Sequence, residues 1–190
     1  MVTPVTNTGA LKILAKDIEQ QCGRLDILVN CAGTTRFVPH SDLEELDDHL
    51  IDEILATNAR GPFAMACAMR PMLMRSNAGL IINISSIAAI TAMGSNIMYC
   101  ASKAALDNMT KSLARALAPT IRVVSVAPGL VETELVKGLD AEWREEQASR
   151  TLLSRLANPA EIAKAVTAVA THFTFSTGTI FAVDGGRPLA

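Results

Sequence analysis

"LIINIS", residues 80–85, is apolar at four of its six positions and has the length of a strand. A strand with one wet face alternates apolar and polar residues, so a run this continuous needs cover on both faces. The same signature recurs in "LDILVN" (25–30), "IRVVSVAPG" (121–129) and "GTIFAVDGG" (178–186), and helical patterns separate these runs. "LKILAKDIEQQC" (11–22) sets Leu11, Leu14, Ala15, Ile18 and Cys22 on one helical face. Ser41 and Glu44 stand at capping-box spacing and predict a helix carrying Leu43, Leu46, Leu50 and Ile54. A second helix is expected from about Asn58 to Arg75, with Pro62 in its first turn and a kink or early stop at Pro71. Beyond "LIINIS" come a loop, "SSIAAITAMGSNIM" (85–98), and a helix bearing Tyr99, Lys103, Leu106, Met109, Leu113 and Leu117. Glu134 to Leu156, with Trp143, reads as a mobile segment, and Asn158, Pro159 and Glu161 predict the start of the helix "IAKAVTAVATH". Buried strands separated by helices imply one α/β domain over residues 1–190, a doubly wound parallel sheet with helices on both faces.

Composition narrows the function. The chain has 190 residues, 49% hydrophobic and 19% charged, as expected of a soluble globular domain. A net charge of -2, a pI near 5.9 and no run of lysines or arginines argue against nucleic acid or an anionic membrane as a partner. No long apolar stretch or leader-like start is present, so a cytoplasmic protein is expected. Cys22, Cys31, Cys67 and Cys100 lack CxxC spacing and neighbouring histidines, which predicts reduced, mostly buried thiols and no metal site. His40, His49 and His172 lie outside every motif and read as surface or cap residues.

In a parallel sheet of this kind, ligands bind beyond the carboxyl ends of the strands. Those positions hold "NCAG" (30–33), Ser85 with Ser86, and "PGLVET" (128–133). Just downstream, "YCASK" (99–103) puts Tyr99 and Lys103 on one helical face, where a phenol and an ammonium can share a pocket. Each residue also has a plainer reading. Tyr99 with Lys103 is equally a half-buried ring beside a solvated cation, Ser86 a turn cap with Ser85 as the working hydroxyl, and Asn58 the cap of a helix starting "ARGPF".

The ordered set "NCAG", "TNARGPF" (57–63), "INISS" (82–86), "YCASK" and "APGLVET" (127–133), closed by "VDGG" (183–186), resembles the short-chain dehydrogenase/reductase family over almost the whole chain. Its nearest flavour is a 3-oxoacyl-(acyl carrier protein) reductase. The resemblance implies a Rossmann-like fold and hydride exchange between NAD or NADP and a small carbonyl or secondary alcohol. It also implies a catalytic set of Asn58, Ser86, Tyr99 and Lys103. Tyr99 would be the acid in reduction and the base in oxidation, and Ser86 would bond the substrate oxygen. Asn58 would complete the set through a relay water, and Lys103 would hold the cofactor ribose. The cofactor would also meet Asn30, Ala32 and Gly33 on one side, and Pro128, Gly129, Val131 and Thr133 on the other. Hydride arrival puts negative charge on the carbonyl oxygen, which calls for a proton donor and fixed hydrogen bonds. A free phenol has a pKa of about 10, and a close cation is expected to lower it.

The resemblance further implies a homodimer or homotetramer paired through "GPFAMACAMRPMLMR" (61–75) and "CASKAALDNMTKSLARAL" (100–117), both apolar over more than one stripe. Departures are Cys31 for a common second Asn, Val124 for Asn, Pro4 for an adenine-contacting Asp, and Pro119 for a basic residue. Extended-type epimerases and dehydratases also use Y-x-x-x-K, but the short tail after "PGLVET" and the final "VDGG" favour the short type. The eleven glycines contain neither G-x-G-x-x-G nor G-x-x-x-G-x-G. By resemblance "VTPVTNTG" (2–9) corresponds to the end of a third strand, so an N-terminally incomplete domain is expected, with "LDILVN" as an exposed edge. Two functional expectations follow: an NAD(P)-dependent oxidoreductase, or a non-catalytic remnant acting only through subunit association.

Overall fold

The computed structural model describes residues 2–190, the side chain of Leu135 aside. Helix α1 (Thr8–Cys22) starts where the Asn7 side chain accepts from the Ala10 amide at 3.0 Å, and stops at Gly23, whose φ of 71° needs a residue without a Cβ. Strand β1 (Ile27–Asn30) leads to a 3₁₀ turn (Leu43–Glu45) and α2 (Asp48–Leu55). A π-helical turn (Ala56–Arg60) joins α2 directly to α3 (Gly61–Leu73). Next come β2 (Gly79–Ile84), the single-turn α4 (Ala88–Thr91), α5 (Ile97–Leu117) and β3 (Ile121–Pro128). Helices α6 (Glu134–Lys137), α7 (Ala141–Ser149) and α8 (Pro159–Thr171), strand β4 (Ile180–Val183) and a 3₁₀ turn (Arg187–Leu189) complete the order.

All four strands are parallel, in the order β1-β2-β3-β4. On one face Leu28, Ile81, Ile121 and Val123 pack against Leu14 and Ile18 of α1, Met69 and Leu73 of α3 and Ala114 of α5. On the other, Leu80, Ile82, Val124 and Val126 pack against Val169, Ile162 and Val166 of α8. Burying each such side chain is worth about 1.5–3 kcal/mol, so this two-sided core is what holds the strand ends in place. The central strands β2 and β3 are buried almost throughout, as the unbroken apolar runs require. Strand β1 instead alternates, with Ile27 43% and Val29 42% exposed on the face that α8 does not reach. Among the described residues, no helix is long and apolar enough to cross a membrane.

Several expectations fail locally. Asp47, not Ser41, caps α2, accepting from the Leu50 amide at 2.8 Å, and the residues after Ser41 form only the 3₁₀ turn. No helix begins at Asn58, because the π turn carries the chain through it; Pro71 lies inside α3, and the helix stops early, at Leu73 rather than Arg75, as that proline predicts. The loop after β2 contains α4, and the segment read as mobile holds α6 and α7. Of the four thiols only Cys100 is buried, since Cys22, Cys31 and Cys67 lie on surfaces the sheet does not cover.

Candidate active site

The site is assembled at the carboxyl ends of β1 and β2 by the first turns of α5. Asn96 is fully buried and starts that helix: its Oδ1 accepts from the Tyr99 amide at 2.7 Å, and its Nδ2 donates to Arg36 O at 2.7 Å and Thr35 Oγ1 at 3.2 Å. One side chain thus fixes the position of Tyr99 and ties it to the loop beyond β1. Ser102 donates to Tyr99 O at 2.7 Å and accepts from Asn58 Nδ2 at 3.1 Å, locking α5 to the π turn. π turns interrupt the helical ladder and recur at functional sites. Here the turn presents Asn58, fully buried, which also pairs with both backbone groups of Thr34: Thr34 N donates to Oδ1 at 2.8 Å, and Nδ2 donates to Thr34 O at 2.9 Å. Its side chain is therefore committed to holding the turn after β1, and it caps no helix.

Lys103 is only 6% exposed; its Nζ donates to Ile84 O at 2.9 Å and lies 5.8 Å from the centre of the Tyr99 ring. The Ser86 hydroxyl bears on the phenol oxygen and accepts from the Ala88 amide at 3.1 Å, so it braces the turn before α4 and neighbours Tyr99. Burial raises the Tyr99 pKa above its ordinary 10.0, Ser86 opposes the rise and Cys100 adds to it. This corrects the expected depression: desolvation of the ring outweighs the stabilisation offered to the phenolate. Burial lowers the Lys103 pKa, while Cys31 and Asp107 push it back up. A phenol held neutral across the physiological range is a proton donor, and a carbonyl oxygen gaining negative charge needs one.

The predicted cofactor residues divide. Cys31, Ala32 and Gly33 are exposed, and a Cβ on Gly33 would lie 3.8 Å from Lys103 Nζ and 3.5 Å from Asn58 Oδ1, so this glycine keeps the approach to the lysine open. Asn30 turns inward instead: it is buried and donates to Asn83 Oδ1 at 2.9 Å, in a polar ladder continued by Asn83 to Thr110 at 2.8 Å and Thr110 to Ser125 at 2.8 Å. Pro128 is buried at the end of β3, and Gly129 donates to Val183 O at 3.0 Å; a Cβ there would crowd the Asp184 backbone at 3.0 Å. Val131 bridges to Ala157, and the Thr133 hydroxyl caps α6 from Val136 N at 3.4 Å. Lys103 spends one of three N–H groups on Ile84, which leaves two beside the open Gly33 and suits a ribose diol. These residues fit the nicotinamide end of a dinucleotide; a glycine-rich phosphate turn is not found among the described residues. A cavity of about 380 Å³ lies to the side, lined by Leu130, Thr151, Leu153, Ala182 and Asp184; it does not include Tyr99.

Asn96 and Asp107 are neighbours of the candidate pair that motif reading missed. Asn three positions before Tyr99 is a capping signal, and Asp107 continues the four-residue spacing of Tyr99 and Lys103.

Residues 1–187 match the family model described as enoyl-(acyl carrier protein) reductase. The 3-oxoacyl-(acyl-carrier-protein) reductase of Thermotoga maritima is 34% identical over 187 residues, 97% of this chain and 75% of that protein. The cis-4-hydroxycyclohexanecarboxylate dehydrogenase of Sinomonas cyclohexanicum is 34% identical over 97% of this chain and 74% of its own. The crystal structure of a short-chain dehydrogenase/reductase of the glucose/ribitol dehydrogenase type from Brucella melitensis superposes with a TM-score of 0.90 at 28% identity, covering 98% of this chain and 75% of that one. With a half-buried Tyr99 beside a buried Lys103 at the end of a parallel sheet and relatives matched along nearly its whole length, the chain belongs to the short-chain dehydrogenase/reductase family, a family of oxidoreductases.

Proposed function

We propose that the chain carries the catalytic portion of an oxidoreductase that exchanges hydride between NAD or NADP and a small carbonyl or secondary alcohol. The observation that carries this reading is the convergence on the β2 exit of the Tyr99 phenol, the Ser86 hydroxyl and the buried Lys103 ammonium. When bound, the nicotinamide supplies or takes up the hydride. Tyr99 donates its proton to the carbonyl oxygen in reduction, and Ser86 gives that oxygen a hydrogen bond as its charge grows. Lys103 offers its remaining N–H groups to the cofactor ribose and stabilises the phenolate left behind. Asn58 and Ser102 hold the surrounding turns in register. Gly33 and Ala32 admit the cofactor on one side, and Gly129, with the backbone up to Thr133, borders it on the other.

The relatives extend beyond this chain by about a quarter of their length, and the uncovered face of β1 is where further strand-helix units would bind the cofactor phosphates. We place the working enzyme in the cytoplasm as a homodimer or homotetramer joined through α3 and α5, where Phe63 and Cys67 are exposed. The exposed edge of β1 also favours a second reading, a subunit that associates without turnover.

A panel of ketones and secondary alcohols, tested with NADH and NADPH on the chain alone and joined to any coding sequence upstream, separates the two. Turnover is expected, and Tyr99→Phe is expected to lower kcat by about 10²-fold or more while cofactor binding by fluorescence is largely kept. Tyr99→Phe with native turnover would overturn the assignment; no turnover by any form would leave the associating subunit.

A further inference from the structure

Asp107 is a buried carboxylate that the proposed reaction does not use. It is 8% exposed, and its Oδ1 has no hydrogen-bond partner. Tyr99, Lys103 and Asp107 follow one another at four-residue spacing, so they form one stripe along α5. That stripe faces three successive residues where β2 ends: Ser86 bears on the phenol, Ile84 O accepts from Lys103 Nζ at 2.9 Å, and the Ser85 hydroxyl bears on Asp107. Ser85 Oγ is likewise buried with no hydrogen-bond partner, so the end of β2 and the stripe of α5 facing it each hold an under-satisfied polar atom. Burial raises the Asp107 pKa above its ordinary value, and the Ser85 hydroxyl, then Ser125 of β3, oppose the rise. The charged groups bearing on the carboxylate are Lys103 and Lys111, both on its own helix; Lys103 in turn faces the Cys31 thiol of the turn after β1 and the Tyr99 ring.

We propose that Asp107 is a positioning residue for the acid/base pair, holding Lys103 charged and its ammonium seated on Ile84 from one helical turn away. The proposal rests on Tyr99 and Lys103 being the reacting pair. A buried ammonium with a single carbonyl acceptor is poorly compensated, and Asp107 is the carboxylate whose charge reaches it. The sign of the effect does not depend on which member of the pair titrates first. Neutralising a nearby negative charge makes proton loss easier from Lys103 and from Tyr99 alike, so the first deprotonation of the pair moves to lower pH.

The test is Asp107→Asn, with Asp107→Glu as the charge-keeping control. In protein labelled with ¹³C-lysine, the Lys103 ε-carbon shift, assigned by Lys103→Arg, reports its charge against pH without any turnover. The midpoint is expected to fall by about one pH unit in Asp107→Asn and to return towards the native value in Asp107→Glu. In a form that turns over, the basic limb of kcat/KM for ketone reduction should fall by the same amount, with little change well below that limb. An unmoved midpoint, or a loss of activity equal at every pH, would overturn the proposal and leave Asp107 a packing residue. Absence of turnover in every native form would sink the hydride-transfer reading instead, while the lysine titration would still decide the role of Asp107.

Discussion

The Tyr99 ring is positioned by close neighbours as much as by its hydrogen bonds. A Cβ on Gly94 would lie 2.8 Å from Cys100 Sγ, 3.1 Å from Tyr99 Cδ1 and 3.2 Å from Ala88 Cβ. Gly94→Ala therefore has to push the ring, the thiol or α4 aside. We expect a loss of about 1–3 kcal/mol in stability, read by urea unfolding, together with a fall in kcat larger than any rise in KM, read by steady-state ketone reduction. An unchanged kcat would mean that α4 yields and the phenol stays in place. The placement of Tyr99, Lys103 and Ser86 at one strand exit was legible because their message is spacing along one helix and position after one strand. Asn96, Asp107 and the inward turn of Asn30 were not, since a polar side chain shows its burial only once other elements close over it. The direction of the Tyr99 pKa was lost for the same reason: sequence displays the neighbouring cation but not the burial that raises the phenol above its ordinary value.

At the start of α8, Asn158 accepts from the Ala160 amide at 2.9 Å, and Glu161 reaches back to the Asn158 amide at 2.8 Å while both its oxygens meet Arg155 at 2.7 Å. Bonding to Arg155, and then to the Asn158 amide, lowers the Glu161 pKa from 4.5 to about 2. A carboxylate whose folded pKa is depressed adds stability that is present above its unfolded value and is lost as the pH falls through the folded one. Glu161→Gln should therefore be less stable than the native chain at pH 7, and the difference should shrink between pH 4.5 and about 2, as followed by thermal unfolding. The group is solvent-exposed, so salt should also reduce the difference. A gap that stayed constant over that window would show that capping geometry, rather than charge, holds this end of α8. This helix start was readable because every participant lies within a few residues in sequence. The start predicted at Ser41 failed under the same rule, because Asp47 offers a competing cap immediately before the residues that pack on Val38 and Met98. The π turn at Asn58 carries no local signal; it depends on Ser102 and Thr34, distant in sequence.

Across the whole sheet the burial of the strands is unequal, and that inequality sets which surfaces a second copy would find. The apolar runs announced the parallel sheet and its central strands, and the missing glycine-rich turn pointed to β1 as an edge. Leu28 points to the face covered by α1 and α3, so its neighbours Ile27 and Val29 point to the face where α8 covers only the strands beyond. An apolar face beside a row of unpaired backbone groups is a template for pairing with another strand. The outer face of α3, with Phe63 49% exposed, continues into Met74 just past the helix, also 49% exposed; two-fold pairing through this face closes, whereas the β1 edge of one copy on the β4 edge of the next runs head to tail and can keep adding chains. Sedimentation should therefore show a defined oligomer at low concentration and open-ended growth as the concentration rises. Val29→Lys places a charge on the exposed face of β1, where the cost to stability should be within about 0.5 kcal/mol, and it should remove the growth while leaving the defined oligomer. Phe63→Lys should do the reverse. If growth persists in Val29→Lys and vanishes in Phe63→Lys, the helices carry both associations and the edge of β1 is protected by means other than pairing.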